Sequence, residues 1–98
     1  MPRYVNQRAF SVGEEDMAEI GRRSRELIER DYPDVTWLHS HVTVDADGHV
    51  RTFCVYDAPN EDAIRRHAAA LGYHIIDGIY EVAGDVTPED FPALEPTA

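Results

Sequence analysis

Two histidines separated by one residue, His39 and His41, and the single cysteine, Cys54, are the side chains in this chain best suited to coordinate an ion or attack a substrate. Imidazole nitrogen and thiolate sulfur are borderline-to-soft donors, which suit nickel, copper or zinc and oppose magnesium or calcium. On a strand, the His-x-His spacing points both rings to one side. Whether Cys54 joins them depends on its partner strand. Residues 35–44 and 50–58 are two runs rich in β-branched and aromatic residues, and between them Asp47-Gly48 has the composition of a two-residue hairpin turn. With those two at the centre of the turn, His41 is predicted opposite Cys54 and His39 opposite Tyr56. One face then carries Trp37, His39, His41, Cys54 and Tyr56, and the other carries Leu38, Ser40, Val42, Phe53 and Val55 as the core set. Opposed residues have Cβ atoms about 4.5–5.5 Å apart, close enough for an imidazole and a thiolate to share one ion. The same cluster also fits an aromatic and imidazole-lined dimer interface with Cys54 as a small buried hydrophobe.

The elements that must position these residues follow from periodicity and breakers. Arg3 to Phe10 alternates without a breaker and reads as a first strand. Ser11 and Glu14 have the spacing of a capping box, so a helix is predicted from Ser11 to about Asp31, with Met17, Ile20, Ser24, Leu27 and Ile28 on its apolar stripe and Pro33 beyond its end. After the hairpin, Pro59 breaks the strand, Asn60 caps a second helix, and Ala63, Ile64, His67, Ala68 and Leu71 share one face before Gly72 stops it. Residues 75–82 read as a fourth strand. The order β-α-β-β-α-β is the split βαβ, ferredoxin-like arrangement of the α+β class: an antiparallel sheet with both helices on one face. Residues 1–84 form the domain, and residues 85–98 are an acidic tail spaced by Pro88, Pro92 and Pro96. The uncovered sheet face calls for a second copy, so a homodimer is expected.

Several strings carry a resemblance. Trp37-Leu38-His39-Ser40, Thr52-Phe53-Cys54-Val55-Tyr56-Asp57-Ala58-Pro59 and Ala63-Ile64-Arg65-Arg66-His67-Ala68, followed by Glu81-Val82, resemble the small bacterial DUF4242 domains, sometimes labelled nickel-binding protein. Pro2-Arg3-Tyr4 and Arg8 fit as well. The resemblance spans the first strand and most of residues 37–82, and it implies a ferredoxin-like dimer that binds nickel near its interface. It also implies Glu81 as a carboxylate ligand, to be set beside an exposed salt-bridging role for the same residue. His41 stands where the family is expected to carry an aromatic, Gln7 where it often has an acidic residue, and Tyr73-His74 where Phe-Pro is common. His41 adds a donor and Gln7 removes one, which leaves the metal and its coordination number open. The candidate ligand set is therefore His39, His41, Cys54 and Glu81, with nickel first and zinc or copper as alternatives. His67 lies on an apolar helix stripe and is expected to pack or cap rather than ligate, while His49 and His74 are expected to face solvent. Asp45 and Asp47 with Gly48 lack the other ligands of a calcium loop and read as a turn.

Charge and length exclude other classes. The 98 residues allow one domain, and they carry 19 acidic against 9 basic side chains, all of the latter Arg and none clustered. A net charge of −10 opposes nucleic acid and anionic membrane as partners. No apolar run is long enough to span a bilayer and the start lacks a signal peptide's apolar region, so a cytoplasmic location is expected. One cysteine permits no internal disulfide. The leading function is storage, buffering or sensing of nickel without turnover. The alternatives are a small oxygenase- or isomerase-like enzyme using Cys54 beside His41, or a small-ligand-binding signalling module.

Overall fold

A computed structural model describes residues 1–92; the last six residues of the expected tail lie outside them. Four strands, β1 (Arg3–Phe10), β2 (Thr36–Val44), β3 (Val50–Asp57) and β4 (His74–Glu81), form one antiparallel sheet in the order β2-β3-β1-β4. Helices α1 (Met17–Asp31) and α2 (Glu61–Leu71) connect them, which gives the α+β, ferredoxin-like order. No described helix is long and apolar enough to cross a membrane.

Local chemistry accounts for most boundaries. The Asn60 side chain accepts from the Ala63 N–H at 2.9 Å and so starts α2, and Gly72, at φ 75°, ends it in a conformation that only glycine adopts without strain. Helix α1 starts later than the capping box predicts. Ser11 donates both its N–H and its hydroxyl to the Tyr73 carbonyl, at 3.0 and 3.1 Å, so its side chain serves the junction between β1 and β4 rather than a helix end. A 3-10 turn at Glu14–Asp16 leads into α1 instead, with no side-chain cap.

The hairpin register is the main departure. The loop closes on three residues, not two: Asp45 and His49 pair through the Asp45 N–H, the Gly48 N–H returns to the Asp45 carbonyl, and Gly48 sits at φ 83°. The Asp45 carboxylate fixes this shape by accepting from the Asp47 and His49 N–H groups, each at 2.9 Å. One extra loop residue moves every pair across by one. His41 pairs with Phe53, Ser40 with Cys54 and His39 with Val55, and an irregularity at Leu38 then restores Trp37 to a position opposite Tyr56. The helices therefore cover Trp37, Ser40, Thr52, Cys54 and Tyr56, and the face holding His39, His41, Phe53 and Val55 is left open. The expected core set is displaced: Leu38 and Val42 are exposed, and Thr52, Cys54 and Tyr56 are buried.

Ile28, Val35, Tyr56 and Ile64 anchor the principal core, and Ile20, Leu27 and Leu71 a second cluster where α1 meets α2. Beyond β4 the Val82 N–H bonds the Arg3 carbonyl at 2.7 Å and Asp85 pairs with the Arg3 guanidinium at the same distance, which tethers the following acidic segment to β1.

Candidate functional site

The open face places His39 and His41 on the edge strand β2. Their rings meet edge to face with centroids 5.4 Å apart, and both side chains are exposed. Inward from them, the register aligns His39 with Val55, Val5 and Tyr80, and His41 with Phe53, Gln7 and Gly78. Two imidazoles so arranged bring ring nitrogens together on one apolar surface, a donor type that suits a borderline divalent ion such as nickel.

The other two candidate ligands stand elsewhere. Cys54 is buried beneath the helices, where its thiol donates to the Thr52 hydroxyl at 3.4 Å, so it shares neither a face nor a pairing with His41. A Cys54 nucleophile activated by His41 is therefore not assembled within one chain. Glu81 ends β4 opposite Tyr4, exposed and without an ion pair among the described residues. Three interstrand spacings, roughly 14 Å, separate its strand from that of the histidines.

Among the described residues, one group of three metal-capable side chains converges, Asp45, Asp47 and His49 in the exposed hairpin loop, with donor atoms within 4.8 Å of one another. Both oxygens of Asp45 are already engaged, one by the two loop N–H groups and the other by the Arg51 guanidinium at 3.1 Å. The N–H from His49, foremost among these bonds, holds the Asp45 carboxyl below the usual carboxylate range. That chemistry is a turn, as the sequence reading expects.

The helix-covered face holds an interior of unusual polarity. Asn6, Arg8, Thr52 and Tyr56 are all buried there, and the Arg8 guanidinium lies 5.4 Å from the centre of the Tyr56 ring. Burial, with a smaller opposing effect from Arg8, pushes the Tyr56 phenol up, so it stays protonated. His67 packs edge-on against Tyr32 and Tyr56, its Nε2 3.2 Å from the Ser24 hydroxyl, in the packing role read from the helix stripe. Burial first, then the Arg8 charge, lowers its pKa to about 4. His74, expected to face solvent, is half-buried instead: it stacks on Phe10 at 5.0 Å and its Nδ1 lies 2.6 Å from the Gly72 carbonyl. Asn6 and Arg8 were not picked out as a buried pair from the sequence, although their alternation with Tyr4 places them on one side of β1.

Comparison with known proteins adds three findings. No curated protein matches the chain. The solved structure of SnoaB, a cofactor-independent oxygenase from Streptomyces nogalater, aligns with 89% of this chain and 96% of its own at 17% identity and a TM-score of 0.49. A family model described as nickel responsive protein, SCO4226-like, matches residues 4–82, and this family is related to the DUF4242 group that the sequence strings resemble. The match takes in every strand and both helices of the domain, and so the chain belongs to the SCO4226-like family of nickel-responsive proteins.

Proposed function

We propose that this protein binds nickel through His39 and His41 and serves in nickel storage, buffering or sensing rather than turnover. The observation that carries the reading is the pair of adjacent, exposed imidazoles on the uncovered sheet face, 5.4 Å apart between centroids. Membership of a nickel-responsive family supports the choice of metal. Bound nickel takes electron pairs from neutral imidazole nitrogens, so the two histidines hold it only when deprotonated.

Two donors are too few for a tightly held ion. The open face answers this if a second copy packs against it: Val5, Phe53, Val55 and Tyr80 then leave water, and four imidazoles approach one ion across a two-fold axis. Cys54 and Glu81 lie outside this set in the geometry of a single chain.

Titration calorimetry tests the assignment. His39→Ala and His41→Ala are each expected to weaken nickel binding at least tenfold, while His49→Ala and Cys54→Ser stay within about twofold of the parent. If His49→Ala alone abolishes binding, the ion belongs to the hairpin loop and the reading fails.

A further inference from the structure

Between the helix-covered sheet face and α1 lies a cavity of about 130 Å³, close in size to an engineered apolar cavity that admits benzene. Phe10, Met17, Ile20, Trp37 and Leu71 give it mostly apolar walls, and Arg8 is the single charged residue that lines it. The Arg8 side chain is 2% exposed, and its Nε and Nη2 have no hydrogen-bond partner among the described residues. Its neighbours on the adjoining strands are Thr52 and Ile76, neither of them a counter-ion.

Arginine is almost never fully buried without a partner, because an unpaired buried charge costs several kcal/mol. The Tyr56 ring lies 5.4 Å from the guanidinium and attracts the cation, but among the described residues it gives neither Nε nor Nη2 a hydrogen-bond acceptor. Burial first, and then this same Arg8 charge, lowers the pKa of His67 and of His74. A carboxylate supplies what is lacking: two oxygens that match the guanidinium fork, on a body that the apolar walls accept.

We infer that this cavity is a binding site for a small monocarboxylate whose apolar body is no larger than roughly a benzene ring, held by the guanidinium of Arg8. The site lies on the face opposite the histidine pair, so it stands or falls independently of nickel.

The test uses the full chain in chelator, with isovalerate as the probe and isovaleramide as its uncharged match in shape, at constant ionic strength. Isovalerate is expected to raise the melting temperature saturably, to shift the Arg8 Nε–H resonance, and to bind at least tenfold more tightly than the amide. Arg8→Met, which removes an unpaired buried charge, is expected to raise the ligand-free melting temperature and to abolish the preference for the carboxylate. Should that variant not fold, the Arg8 Nε–H resonance of the parent decides. Equal effects of acid and amide, a response that sodium chloride reproduces at the same ionic strength, a preference that survives Arg8→Met, or an unmoved Arg8 resonance would each overturn the inference.

Discussion

Burial among Tyr32, Tyr56 and Ser24, beside the Arg8 charge, makes the protonation of His67 a term in folding. Its folded pKa of about 4 lies below the ordinary value near 6.5, so the unfolded chain binds the extra proton across that interval. Stability is therefore complete above about pH 6.5 and falls as pH drops towards 4, by roughly 2 kcal/mol between pH 7 and 4.5 from this residue. His74 acts in the same direction. In urea denaturation at the two pH values, His67→Gln is expected to lose markedly less stability than the parent. An equal loss would show that another group carries the dependence. The packing role of His67 was legible in the sequence because helical periodicity is local. The burial of Arg8 was not, since a strand pattern gives sidedness but not which side the helices cover.

At the scale of elements, the hairpin decides which residues meet. A two-residue loop would align His41 with Cys54; the three-residue loop built on Asp45 and Gly48 aligns it with Phe53. The sequence favoured the wrong register because both alternating sets of β3 are apolar: Phe53 and Val55 on one side, Cys54 and Tyr56 on the other. The order of all six elements was legible, and local breakers such as Pro33, Pro59 and Gly72 marked most of their ends; the start of α1 was not, because Ser11 serves the junction of β1 and β4 instead of capping the helix. Register rests on one loop residue and on the irregularity at Leu38. Gly48→Ala forces a side chain into φ 83° and is expected to cost about 1 kcal/mol, read as a lower melting temperature. Asp45→Ala removes the one oxygen that accepts both loop N–H groups and is expected to destabilise by a similar amount. A parent-like melting temperature for both variants would contradict the loop's role in setting the register.

For the whole molecule, the two faces of the sheet differ: a polar, cavity-bearing side lies under the helices, and an apolar side edged by imidazoles is left open. The second calls for a partner surface, and light scattering at micromolar concentration is expected to give about twice the chain mass of 11.1 kDa. Val55→Glu, which places a charge at the centre of that face, is expected to give the single-chain mass; an unchanged dimer would locate the interface elsewhere. Native mass spectrometry of nickel-loaded protein joins assembly and site in one reading. The expected spectrum shows a dimer carrying one nickel, and the doubly substituted His39→Ala, His41→Ala protein carrying none. Nickel retained by that variant, or one ion on each separate chain of the parent, would contradict an ion shared by the two histidine pairs.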